Sequence, residues 1–134
     1  MLVQDLMQTD VKAVAPDQNV AMVVQTMADS RISGIPVVSQ SGKLLGVVSS
    51  TDVLQGTAEH GASTTERNRF FNLTTAQDIL TVQPHTIGPV ADVQHAAQHM
   101  LYLDVRRLFV VDDGRLVGVI SQTDIAHAMG SGRL

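Results

Sequence analysis

The chain has no cysteine and no tryptophan, and among its 134 residues the only aromatics are Phe70, Phe71, Phe109 and Tyr102. Without cysteine, disulfides and thiolate metal sites are excluded, and nothing points to an oxidising compartment. With aromatics at 3%, the stacking platforms that hold single-stranded nucleic acid are missing. A formal net charge of −4 gives no field to attract a phosphate backbone, so no nucleic-acid partner is expected. Apolar runs stop after a few residues, far short of the roughly 20 that cross a bilayer, so no membrane partner is expected either. The start, MLVQDLMQTD, lacks a basic stretch followed by an apolar one and does not read as a signal peptide. These features together predict a soluble, cytoplasmic protein.

At 44% hydrophobic residues the chain can fill a core, built of Val, Leu, Ile, Ala and Met. The order of those residues repeats. At a shift of about 73 positions, Gln4-Asp5-Leu6-Met7 falls on Gln77-Asp78-Ile79-Leu80, Pro16 on Pro89, Val20 on Val93, and Met27 on Met100. Val37-Val38 falls on Val110-Val111. After a one-residue gap in a Gly-containing turn, the run from Leu44 to Asp52 lies over the run from Leu116 to Asp124. Matches spread this evenly mark an internal duplication. We therefore divide the chain into a first repeat (1–55), a connection (56–75) and a second repeat (76–134).

Each repeat reads locally as a helical turn, a short extended segment (Ala13–Val14, Thr86–Ile87), an amphipathic helix, and two strands followed by a final helix. The helix stripes are Val20, Val23, Val24, Met27 and Ala28, then Val93, Ala96, Ala97, Met100 and Leu101. The strands (Ile35–Val38 with Leu44–Val48; Leu108–Val111 with Leu116–Ile120) are close enough to form antiparallel hairpins. Ser, Thr and Asp around Asp52 and Asp124 supply the caps of the last helices. The fold class is α+β, two β-α-β-β-α repeats. Strands apolar nearly throughout predict burial on both faces, the second face covered by the other repeat's sheet, so that neither half is stable alone. The connection reads as a loop with a short helix around 65–71.

Two strings stand out: Gly34-Ile35-Pro36-Val37-Val38, and a Gly-apolar-apolar-Ser-x-x-Asp pattern present as Gly46–Asp52 and again as Gly118–Asp124. In these residues the chain resembles the CBS (cystathionine-β-synthase) domain family over nearly its whole length, the 56–75 connection excepted. The resemblance implies two repeats related by pseudo-twofold symmetry, packed through their sheets, with two clefts between them. It also implies a flat homodimer and binding of AMP, ADP, ATP or S-adenosylmethionine as a regulatory ligand, with no cofactor required.

The chemistry of the motif fits that ligand class. A Ser or Thr hydroxyl beside a helix N-terminus joins free backbone amides in holding phosphate. An Asp there accepts the hydroxyls of a ribose. The motif glycine lets backbone approach a ligand, and Ile32, Ile35 and Pro36 form an apolar wall for adenine. The expected better site comprises Arg107, Ser121, Thr123 and Asp124, completed by Lys12, Ala13 and Val14. In relatives a basic residue at the Arg107 position reaches phosphate, and the planar guanidinium suits that task. The second site comprises Ser49, Thr51 and Asp52 with the segment around His85 to Ile87. The plainer account of Ser-x-x-Asp is a helix N-cap. Phe109, where the family carries proline or a small apolar residue, narrows the first cleft.

His95 and His99 have helical metal-binding spacing but face away from the apolar stripe and lack a third ligand, so no metal site is expected. No nucleophile–base arrangement, Walker loop or HExxH string supports catalysis. The expected function is a non-catalytic sensor that passes nucleotide occupancy to an effector protein. The alternative is a ligand-free scaffold for dimerisation or protein docking, with Phe70 and Phe71 either contacting a partner or anchoring the connection.

Overall fold

A computed structural model describes residues 1–82 and 84–134. In chain order the helices are α1 (Val3–Leu6), α2 (Val20–Ser30), α3 (Ser50–His60), α4 (Thr64–Leu73), α5 (Ala76–Ile79), α6 (Val93–Leu103) and α7 (Gln122–Gly130). The strands are β1 (Gly34–Val38), β2 (Leu44–Ser49), β3 (Thr86–Ile87), β4 (Arg107–Asp112) and β5 (Arg115–Ser121). They divide into two compact units, one of Met1–Val11 with His85–Leu134, the other of Lys12–Pro84. No helix among the described residues is long and apolar enough to cross a membrane.

The unit of residues 12–84 is built on the β1–β2 hairpin, antiparallel from Gly34↔Ser49 to Val38↔Leu44 with a register shift between Val37 and Val38. Val14 bridges Val37 in parallel. Helix α2 starts at Asn19, whose side chain accepts from the Met22 amide, and buries Val20, Val23 and Met27 against Ile35, Val37 and Val48. The unit of residues 1–11 and 85–134 repeats this plan. There β4 pairs antiparallel with β5 and parallel with β3, and α6 buries Val93, Ala96 and Met100 against Leu108, Val110 and Ile120. Both helices stop the same way, at Arg31 and Asp104, each left-handed with φ of 56°.

Three expectations change. The helix stripes are narrower than the spacing suggests, since Ala28 and Leu101, at their edges, are exposed. Burial on both faces holds for most of β1 and the middle of β4, whereas β2 and β5 alternate, with Gly46, Val48, Gly118 and Ile120 the inward residues. The 56–75 connection is mostly helix: α3 runs on to His60 and α4 follows. Ser63 caps α4 by accepting from the Glu66 amide, and α4 packs across α2 and α3. Phe70 is buried against Gly56, a position where any β-carbon would collide with its ring. The apolar pair Phe70–Phe71, edge to face at 5.6 Å, thus anchors the connection, the plainer of its two sequence roles.

The repeats and the compact units do not coincide. The opening turn of each sequence repeat belongs to the unit built around the other hairpin. Helix α1 joins the 85–134 core through fully buried Val3, and α5 joins the 12–84 core through Ala76. Each segment then lies against the second hairpin strand. Gln8 exchanges backbone hydrogen bonds with Val119 (2.8 and 2.9 Å), as Thr81 does with Val47 (2.8 and 3.0 Å). Sequence matching aligns like with like and carries no information about which copy a segment packs on.

Candidate functional site

The end of each hairpin and the start of the helix after it form one rigid corner. In the 85–134 unit, register places Arg107 directly opposite Ser121. Ser121 is the N-cap of α7 and Asp124 its third residue. Ser121 Oγ accepts from the Asp124 amide at 3.1 Å, and Asp124 Oδ2 accepts from the Ser121 amide at 2.9 Å. This reciprocal capping box satisfies two amides that a helix start leaves open. The first helical amide, Gln122, donates to the Arg106 carbonyl at 2.8 Å. The amide of Thr123, at the second helical position, has no helical partner, and Thr123 is exposed. A shallow cavity of about 440 Å³ opens here, lined by Arg106, Arg107, Ser121, Gln122 and Thr123.

Arg107 and Phe109 lie two apart on one face of β4, and the guanidinium carbon stands 5.3 Å from the ring centroid. Burial lowers the Arg107 pKa from its ordinary value, but a guanidinium starts so high that it stays charged at neutral pH. Phe109 is itself buried. It supports the arginine as a cation–π platform, a role that its sequence reading as an obstruction did not include.

In the 12–84 unit the same corner recurs with different chemistry. Gly34 lies opposite Ser49. Asp52 Oδ2 accepts from both the amide (2.8 Å) and the hydroxyl (2.9 Å) of Ser49, whose Oγ accepts from the Asp52 amide at 3.1 Å. Ser50 donates to the Ser33 carbonyl at 2.9 Å, and exposed Thr51 occupies the open second position. Where the other corner carries Arg106 and Arg107, this one carries Ser33 and Gly34.

The structure thus brings Arg107, Ser121, Thr123 and Asp124 together in one unit, and Ser49, Thr51 and Asp52 in the other. The residues expected to complete each site belong to the opposite unit by chain: Lys12, Ala13 and Val14 to the 12–84 unit, His85 and Ile87 to the 85–134 unit. Lys12 and Ala13 are exposed, while Val14 is buried and exchanges backbone hydrogen bonds with Pro36 and Val38. His85 is exposed and its carbonyl accepts from Phe109 at 3.2 Å.

Two assignments are corrected. Ile35 and Pro36 are fully buried, Ile35 in the 12–84 core, so their side chains present no wall to adenine; partly buried Ile32 is the residue of that set with surface to offer. The motif glycines face the opening segments instead of a ligand. A β-carbon on Gly46 would lie 2.5 Å from the Thr81 carbonyl oxygen, and one on Gly118 would lie 2.6 Å from Met7 Sδ and 2.9 Å from the Gln8 carbonyl oxygen.

Sequence reasoning missed two features. Gln8 and Thr81 donate to the motif aspartates, Gln8 Nε2 to Asp124 Oδ1 at 2.9 Å and Thr81 Oγ1 to Asp52 Oδ1 at 3.1 Å. The only signal was their equivalence in the repeat, which says nothing about contact. A groove of about 570 Å³ also runs along α3, α4 and α5, with Asp52, Glu59, Glu66, Arg69 and Phe70 among its lining residues. A connection read as loop gives no hint of it.

A CBS domain model matches residues 3–59 and 76–131. The chain belongs to the CBS-domain family. It is 30% identical over 139 residues to the chloroplastic CBS domain-containing protein CBSX1 of Arabidopsis thaliana, an alignment covering 89% of this chain and 59% of that relative. It is 28% identical to the CBS domain-containing protein YhcV of Bacillus subtilis, covering 92% of this chain and 82% of the other. The crystal structure of CBSX2 in complex with AMP superposes with a TM-score of 0.80 at 25% identity, over 99% of this chain and 98% of that one. Since the chain spans about three fifths of CBSX1, the comparison concerns the CBS pair itself.

Proposed function

We propose that this CBS pair is a regulatory module that binds an adenine nucleotide at its hairpin–helix corners and passes occupancy to a partner protein. The observation that carries this reading is the 85–134 corner, where a charged guanidinium, a serine N-cap and Thr123 with its open amide line one cavity and the motif aspartate is bonded to the N-cap serine. These are the groups that a phosphorylated riboside needs: donors for phosphate and a carboxylate for the ribose hydroxyls. AMP bound to CBSX2 supports the ligand class. The 12–84 corner, with Ser49, Thr51 and Asp52, is the weaker phosphate site because it lacks the arginines. Lys12, Ala13, Val14, His85 and Ile87 remain the proposed completing residues.

The action is thermodynamic, not catalytic. A ligand that favours one conformation shifts the population toward it, and a partner that reads the conformation is coupled by typically 1–3 kcal/mol. The chain acts as a homodimer in this reading. A scaffold without ligand is the competing account, favoured by the capping boxes, which explain both Ser-x-x-Asp motifs structurally.

Thermal unfolding separates the two. AMP, ADP, ATP or S-adenosylmethionine at 100 times its dissociation constant stabilises by about 2.7 kcal/mol, several degrees in a chain this size. The nucleotide reading expects such a rise with at least one ligand, lost in Asp124→Ala and in the capping-competent Asp124→Asn. No rise with any of the four establishes the scaffold.

A further inference from the structure

Each motif aspartate is already shared before any ligand arrives. The amide of Gln8 holds Asp124 Oδ1, and the hydroxyl of Thr81 holds Asp52 Oδ1. Gln8 and Thr81 are 73 positions apart in the sequence, so the duplication has built the same clamp twice. In both units the clamp residue is seated by a reciprocal backbone pair on the strand two residues before the motif serine. The other carboxylate oxygen, Oδ2, belongs to the capping box.

A carboxylate offers about four lone-pair positions. Donors that share one carboxylate oxygen also share its charge and repel each other, so a ribose cis-diol, donating one hydrogen bond to each oxygen, weakens the Gln8 bond on Oδ1. The N-terminal segment has a second, independent anchor. Val3 is fully buried in the 85–134 core, its amide donates to the Ala91 carbonyl at 2.8 Å, and the Gln4 amide donates to Pro89 at 2.9 Å. Val3 therefore stays seated whatever Gln8 does, and Gln8, which is exposed, can let go without opening the core.

We propose that residues 1–11 form a ligand-coupled strap: the Gln8 amide and the ribose diol compete for Asp124 Oδ1, so that nucleotide occupancy loosens the strap between Met7 and Val11. This rests on the nucleotide reading above. Gln8 is then a residue that sets ligand affinity through Asp124, and its position determines which end of the segment moves. Thr81 is the same device in the other unit. Because Asp52 also carries the Ser49 hydroxyl, a diol there must displace a hydroxyl, making that latch the harder to open.

The test uses the full chain and AMP, by titration calorimetry and by amide exchange. Gln8→Ala and Gln8→Leu, the second keeping side-chain bulk, bind AMP at least threefold tighter than wild type, a gain that mere structural damage does not produce. Saturating AMP speeds exchange of the Gln8 and Val119 amides in wild type and leaves that of Val3 unchanged. Unchanged or weaker AMP binding in both variants, with binding abolished in Asp124→Ala, overturns the competition and keeps the nucleotide site. Unchanged or slower exchange at Gln8 overturns it equally. Absence of AMP binding to wild type, or wild-type affinity in Asp124→Ala, overturns the site assignment and the strap together.

Discussion

Gly46→Ala tests whether the motif glycine exists for the crossing segment. The added methyl would stand 2.5 Å from the Thr81 carbonyl oxygen, 2.8 Å from Leu80 Cδ1 and 3.2 Å from the Thr81 carbonyl carbon. Two of these three atoms are backbone, so relief requires the segment to move. Moving it strains the reciprocal Val47–Thr81 pair at 2.8 and 3.0 Å. Overpacking costs about 1–3 kcal/mol, and weakening the pair adds roughly 1 kcal/mol. Against this, replacing glycine restricts the unfolded chain and returns about 0.4–1 kcal/mol. The steric loss wins, for a net destabilisation of about 2 kcal/mol. In thermal unfolding that is a fall of roughly 8 °C, at about 4 °C per kcal/mol for a chain of intermediate size. Gly88→Ala is the control, since nothing lies within 4 Å of a β-carbon there; it should be neutral or slightly stabilising. A Gly46→Ala protein as stable as the Gly88→Ala control would refute the argument that the glycine is required by segment 76–82.

Phe70→Ala removes a buried ring that packs on Gly56 and lies 6.1 Å from the His60 ring; urea denaturation should show a loss of about 3–5 kcal/mol. Arg31→Gly relieves a left-handed non-glycine residue at the end of α2 and should raise stability by about 1 kcal/mol, visible as a higher urea midpoint with unchanged slope. Arg107→Ala should weaken AMP at least tenfold while leaving adenosine affinity nearly unchanged, measured by calorimetry; equal loss for both ligands would place the arginine away from phosphate.

The architecture was legible because duplication samples each signal twice. The hairpins, both amphipathic helices and the caps at Ser49 and Ser121 follow from apolar periodicity and from Ser-x-x-Asp, all local in sequence. What stayed hidden was non-local or buried in ambiguity. The packing of α1 and α5 on the opposite repeat's hairpin leaves no trace in an alignment of the chain to itself. Ile35 and Pro36 sit in a string that marks the family, and a string does not say whether its side chains point into a core or toward a ligand. Gly46 and Gly118 were assigned to close backbone approach, and the approach is real, but its object is Thr81 in one case and Met7 with Gln8 in the other. Helix α4 was visible only as a short stretch around 65–71, because its one buried side chain is Phe70, with Phe71 partly buried beside it, and the residues before them are polar.

Duplication followed by divergence also explains why the two corners should differ in what they bind. The backbone plan is common to both: a strand end opposite the N-cap serine, a first amide bonded back to the preceding loop, and an aspartate held by its own cap and by a clamp residue. A shared plan fixes where a riboside's hydroxyls can go and leaves the rest to the side chains around it. At Arg106-Arg107 one corner has added charge, with Phe109 beneath the guanidinium to hold it in place. At Ser33-Gly34 the other has none, and its aspartate is more heavily engaged. Under the proposed nucleotide reading, discrimination between phosphorylated and unphosphorylated adenosine falls to the 85–134 corner. On the same reading, a ligand that lacks phosphate meets nearly the same polar groups in both, and the proposed clamps at Gln8 and Thr81 set its relative occupancy.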